Sequence, residues 1–257
     1  MFWFKNRKRA KLRATPFPTE WEAILNSNVI YYRHLPEAER MTLQGHIQIL
    51  LAEKNFEGCG GLTMTDEIRV TIAAYAAILM LGRDFDYFPR LASILVYPDA
   101  FVVPTFEHVD DMEIVEEEDV HFGESWNNGA VVLAWKPILQ CARNTGQSQN
   151  VALHEFAHQV DLDDGITDGV PFLDEDDAYE EWSNVMTGAF ESLWRDIENN
   201  RRTWLDEYGA TDPAEFFAVL TETFFTRPHT LQRKHPEVYA VLSEFYRQDP
   251  AVLLPKV

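Results

Sequence analysis

Residues 154–158 read His-Glu-Phe-Ala-His. On an α-helix His154 and His158 stand one turn apart on one face, so both imidazoles can reach a single metal ion. Glu155 lies about 100° round the helix, where it can touch a water at the metal rather than the metal itself. The flanking Val151, Ala152, Leu153, Phe156, Ala157, Val160 and Leu162 predict a buried helix. Such an apolar surround excludes competing water and strengthens the field of an ion. Two histidines on a helix need not bind anything. This pair sits on an apolar helix just after a predicted strand, and that context favours metal-assisted hydrolysis.

A catalytic zinc needs a third protein ligand and an open position. The candidates are Asp161, Asp163, Asp164, Glu180, Glu181, Glu215 and Glu222. Asp161 shares the face of His154, but the helical rise carries it about 4.5 Å beyond His158, which is far for a shared ion. The acidic turn at 161–165 misses the EF-hand calcium spacing. The segment TDPAEFFAVLTETFFT at 211–226 offers better ligands. Asp212 reads as a helix cap, Pro213 as the first helical residue, and Glu215 as the third. Glu215 could simply complete a capping box. Glu222 follows two turns later on the same apolar face, and a buried glutamate must be paired, protonated or on a metal. Spacing alone leaves Glu215 and Glu222 equal as third ligand.

The elements that must position these groups follow from periodicity. Residues 37–53 carry apolar positions at helical spacing. A second helix is expected from Thr65 to Gly82, apolar nearly all round and so central in the core. Residues 94–103, interrupted by Pro98, and residues 129–135 read as strands. The 129–135 strand, just upstream of the histidine helix, could be an edge that pairs with an extended substrate, or an ordinary core strand. The acidic stretch 110–119 reads as a solvated loop or hairpin tip. Helices are expected over about 149–161, 176–199, 213–226 and 235–247. The fold class is therefore α+β, mostly helical, with a small mixed sheet.

Composition sets the outer limits. The 257 residues hold 22 Lys+Arg against 42 Asp+Glu, a net charge of −20. Acidity on this scale argues against nucleic acid as a direct partner. An apolar fraction of 46% argues against disorder. Six basic residues fall within 1–13, leaving the other 244 residues at −26. The expectation is a basic, flexible N-terminus at 1–14, with a weak membrane-surface contact through Phe2, Trp3 and Phe4 as the sharper alternative. Residues 15–257 are read as a single domain whose part 15–90 is helical. No apolar run suggests a membrane span, and no apolar region follows the basic residues as in a secretory signal. Cys59 and Cys141 form no metal or disulfide pattern, so a cytoplasmic location is expected. His34, His46, His108, His121, His229 and His235 lack partners at metal spacing.

Several motifs in order carry a resemblance. GESWNNGAVVLAW at 123–135, HEFAHQVD at 154–161, GVPF at 169–172, Tyr208, DPAEFFAV at 212–219 and SEFYRQDP at 243–250 together resemble the Mlc titration factor A family. The resemblance covers about residues 15–255. It implies a zinc-dependent peptidase of the gluzincin type with one Zn2+ per chain. It also implies a zincin-like catalytic domain, similar in its C-terminal part to that of anthrax lethal factor, built around an HExxH active-site helix. The family pattern implies His154, His158 and Glu215 as metal ligands, Glu155 as general base, and Tyr208 as transition-state donor. Glu222 would then orient a ligand histidine.

The same resemblance implies a regulatory role through binding an Mlc-like transcriptional repressor. The rival reading is a regulatory binding protein that sequesters a repressor, with zinc mainly structural. A hydrolase of non-peptide amides is a further alternative, since the motif alone does not fix the substrate.

Overall fold

The structure, a computed structural model, describes the chain except residues 1, 84, 85, 110–112, 122, 127, 128, 144–148 and 257. For 2, 3, 101–109, 113–121, 123–126, 142 and 143 it describes the backbone alone.

Helix α1 (Phe2–Arg13) opens the chain, followed by α2 (Thr19–Asn28), α3 (Ile30–His34) and α4 (Glu37–Glu53). Strand β1 (Asn55–Gly58) leads through α5 (Asp66–Ile78) to β2 (Ser93–Tyr97), and the two strands pair in parallel. Helix α5 starts at Thr65, whose hydroxyl accepts from the Ile68 N–H at 3.3 Å. Every residue from Val70 to Ile78 is buried, because small alanines let α4, α2 and the metal-motif helix approach closely.

Next come β3 (Phe101–Val109), β4 (Glu113–His121), β5 (Gly123–Trp126) and β6 (Ala130–Ala134). β3 and β4 form a separate antiparallel pair. The acidic stretch is thus mostly strand: its residues 113–119 lie in β4, while 110–112 fall outside the described residues. The main sheet has the order β1-β2-β6-β5, with three parallel strands and β5 antiparallel at the end. Of the two readings of 129–135, the substrate-pairing edge is corrected and the core strand holds. β6 is an inner strand, flanked by β2 and β5, and the edge falls to β5. The near-continuous burial of β6 agrees with an inner position.

Register sorts the side chains of β2 and β6. Ile94 pairs with Val131 and Val96 with Leu133, and these four enter the main core. Leu95, Tyr97, Val132 and Ala134 gather on the opposite face.

The remainder is helical: α6 (Trp135–Arg143), α7 (Val151–Asp161), α8 (Ala178–Glu198), α9 (Pro213–Thr226), α10 (Pro228–Lys234), α11 (Pro236–Tyr246) and α12 (Pro250–Leu253). α7 packs along α9 and also touches α5, β5 and β6. The chain is mostly helical around one small sheet, as the α+β reading expects. Among the described residues no helix is long and apolar enough to cross a membrane.

The basic start forms α1 and makes long-range contacts. Its backbone is helical, and Arg9 is buried against the body. The Arg9 guanidinium holds both Glu53 oxygens at 2.7 and 2.8 Å and also reaches Asp86. This bidentate pairing offsets the ordering of the terminus. The partners Glu53 and Asp86 lie 44 and 77 residues away, beyond the reach of local pattern.

Candidate metal centre and active site

Helix α7 carries the His-Glu-x-x-His motif. Asn150 caps it, its side-chain oxygen accepting from the Leu153 N–H at 3.2 Å. His154, Glu155 and His158 are all buried on this helix, with 9, 4 and 8% of their surface exposed. The two imidazole rings stand 5.0 Å apart.

Helix α9 brings the acid. The Asp212 carboxylate accepts from the Glu215 N–H at 2.9 Å, and Pro213 opens the first turn. Here only half of a capping box forms. Asp212 caps the helix, while the Glu215 side chain turns to the histidines of α7. Its Oε2 lies 2.9 Å from His154 Nε2 and 3.4 Å from His158 Nε2. The three residues offer ligand atoms all within 4.8 Å of one another.

Donor atoms around a four-coordinate zinc stand roughly 3.4 Å apart, so the spacing and the donor set fit such an ion. The electrostatics agree. Burial alone would raise the Glu215 pKa, yet hydrogen bonds with His154 and His158 hold this carboxyl well below the usual range. Burial opposes a charged His154, yet Glu215 and then Glu222 lift its pKa to about 10. A positive charge within the cluster, a proton on His154 or a cation, is therefore stabilised.

Glu222 reaches the other side of the same histidine. Its Oε2 is 3.5 Å from His154 Nδ1, and its Oε1 accepts from the Asn150 N–H at 2.5 Å. Full burial pushes the Glu222 pKa up. The two glutamates that spacing left equal occupy different sides of His154. Glu215 meets both Nε2 atoms, whereas Glu222 stands behind His154.

Tyr208 sits on a one-turn 3-10 helix (Glu207–Ala210) packed on α9. Asp206 caps this turn, accepting from the Tyr208 N–H at 3.0 Å, and Gln149 beside α7 donates to the same carboxylate at 2.6 Å. The Tyr208 hydroxyl donates to Glu215 Oε1 at 3.3 Å, and its ring lies 5.9 Å from that of His154. Burial, together with the Glu215 and Glu155 charges, pushes the phenol pKa up, so it remains a donor.

Residues 3–247 match the family described as glucose-regulated metallo-peptidase M90. The chain belongs to this metallopeptidase family. It is 40% identical over 251 residues to the uncharacterized protein slr2042 of Synechocystis sp., covering 97% of this chain and 91% of that protein. It is 30% identical over 258 residues to Mlc titration factor A of Yersinia pestis, covering 99% and 92%. The same figures hold for Mlc titration factor A of Yersinia pseudotuberculosis. A metallopeptidase family implies a bound metal, and the His-His-Glu cluster is a possible place for it.

The remaining acidic candidates do not join the cluster. Asp161 is fully buried, and its Oδ2 accepts from the Gly169 N–H at 2.8 Å. Asp163, Asp164, Glu180 and Glu181 lie outside the group of converging ligand atoms. His46 meets the Tyr87 hydroxyl at 2.7 Å, His229 the Leu254 carbonyl at 2.9 Å, and His235 the Trp204 indole at 3.3 Å. The side chains of His108 and His121 lie outside the described residues.

Sequence reasoning missed the supports. Asn150 is legible as a cap because it directly precedes an apolar helix, but its N–H bond to Glu222 spans 72 residues. Gly169 and Trp182 were equally hidden. The Trp182 indole donates to the Gly169 carbonyl at 3.2 Å, next to the first turn of α9.

Proposed function

We propose that this M90 family member is a zinc-dependent peptidase with His154, His158 and Glu215 as metal ligands. The observation that carries the reading is the approach of Glu215 to both Nε2 atoms of the buried motif histidines. A zinc ion held there would polarise the scissile carbonyl and make a water acidic enough to attack near neutral pH. Glu155 takes the proton of the attacking water and returns one to the leaving amine. Tyr208 donates its hydroxyl hydrogen to the oxygen on which negative charge develops. Glu222 accepts from His154 Nδ1, fixing the tautomer that turns Nε2 to the metal. Strand β5 ends the sheet beside α7, so an extended peptide added at this edge would lie along the metal helix.

Replacing Glu155 with Gln keeps the ligands and removes the base. Bound zinc should stay at one per chain while hydrolysis falls by at least about a hundredfold. Substantial cleavage by that variant would sink the mechanism. A free-amino anilide and an internally quenched peptide, assayed together, tell aminopeptidase from endopeptidase action.

The second reading is a regulatory binding protein for an Mlc-like repressor, with zinc mainly structural. It is favoured by the name of the Yersinia relatives, Mlc titration factor A. Repressor capture that survives chelation while cleavage is lost would separate the two roles. Two free thiols, Cys59 and Cys141, agree with a reducing cytoplasm as the place of action.

A further inference from the structure

Helix α1 has two unlike faces. Lys5, Arg9 and Leu12, at helical spacing, turn inward: Lys5 and Arg9 pair with Asp86, Arg9 also pairs with Glu53, and Leu12 packs on the core. Phe4, Arg7, Lys8 and Lys11 occupy the opposite stripe, and all four are exposed, Phe4 by 71%. Arg13 is exposed at the end of the helix. Among the described residues no acid pairs with Lys8, Lys11 or Arg13.

We propose that the outer face of α1 is a docking surface for an anionic phospholipid bilayer, which the protein binds peripherally and reversibly. Charge complementarity gives the sign of the partner. The chain beyond residue 13 carries −26, so this basic stripe is the exception on an acidic molecule and suits only an anionic surface. The aromatic residue gives its kind. Phe4 shares the stripe with the cations, and the sequence places Phe2 and Trp3 just ahead of it. A ring that enters the headgroup boundary while Lys and Arg stay at the phosphates is the pattern of an interfacial helix. The inward salt bridges hold α1 folded before contact, so docking requires no ordering of the helix. Repulsion of the acidic body favours an orientation in which α1 alone approaches the lipid.

The test is vesicle flotation of the full chain. Vesicles of roughly one-third phosphatidylglycerol in phosphatidylcholine should carry the protein upward at low salt, whereas pure phosphatidylcholine should not. About 0.5 M salt should release it, because screening shortens the reach of the basic residues. The double change Lys8→Glu, Lys11→Glu should weaken vesicle binding by about tenfold or more. Phe4→Ala should weaken it several-fold, roughly as expected for loss of one inserted ring. Both variants change exposed side chains, and circular dichroism and melting temperature are measured alongside so that binding is compared between folded proteins. The proposal is overturned if anionic vesicles fail to carry the wild-type chain, or if neutral vesicles carry it equally. It is also overturned if charge reversal leaves binding unchanged, or if duplex DNA captures the protein and vesicles do not.

Discussion

The Gly169 N–H donates to the Asp161 carboxylate at 2.8 Å. This bond joins the last residue of α7 to a loop that also rests on α9. The same glycine accepts from Trp182 of α8, and its Cα lies against the Pro213 carbonyl in the first turn of α9. His158 precedes Asp161 by three residues, and Glu215 follows Pro213 by two. The contact therefore helps set the spacing between the two helices that supply the proposed metal ligands.

Asp161 makes this junction sensitive to pH. Burial raises its pKa to about 6, against the pull of the Gly169 N–H. Its other oxygen, Oδ1, is buried and meets no hydrogen-bond partner among the described residues. A carboxyl whose folded pKa lies above its unfolded value stabilises fully below about pH 4, and that contribution is lost as pH rises through about 6. Asp161→Asn keeps an acceptor for Gly169 and removes the charge. Between pH 4 and 7 the variant should therefore gain on the wild type by roughly 2–3 kcal/mol. Urea unfolding in excess chelator, across that pH range, measures the difference free of cation charge near His158. Parallel stability profiles for the two proteins would contradict the account.

Gly169 itself should tolerate no side chain. Its φ of +79° lies in the left-handed region, and an added Cβ would fall 2.3 Å from the Pro213 carbonyl oxygen. Gly169→Ala should cost at least about 2 kcal/mol in unfolding free energy, because backbone strain and a backbone clash add. The zinc content of the folded fraction should drop with it, since α9 must move away from α7. An alanine variant with wild-type stability and metal content would show that the two helices are set by other contacts.

Such junctions explain what was and was not legible in the sequence. The central helix α5, the metal-motif helix α7 and the capped start of α9 were readable, because periodicity and capping are local signals. So was the presence of strands in the middle of the chain. The inner position of β6 was not, since strand order depends on partners far along the chain. The partners of Arg9 were hidden for the same reason, since Glu53 and Asp86 lie far along the chain. At the site, spacing supplied both histidines and narrowed the acid to two residues. The proposal of Glu215 rests on which side of His154 each glutamate meets, which spacing does not show.

Tyr208 separates binding from chemistry. Its side chain is half exposed, so Tyr208→Phe should leave the fold unchanged. The hydroxyl that lies 3.3 Å from Glu215 would be lost. If it donates to the developing oxyanion, kcat should fall by about a hundredfold with zinc content intact and KM little changed. An unaltered kcat, or a change confined to KM, would remove Tyr208 from the proposed machinery.

The central claim is that one zinc ion is held by His154, His158 and Glu215. Anomalous diffraction at the zinc absorption edge, from crystals of the zinc-loaded protein, tests it most directly. The account predicts a single strong peak within about 2.2 Å of both Nε2 atoms and a Glu215 carboxylate oxygen. Glu222 should stay on the Nδ1 side of His154, away from the ion. A peak bound instead by Glu222 or Asp161, or zinc elsewhere with these three residues bare, would contradict the account.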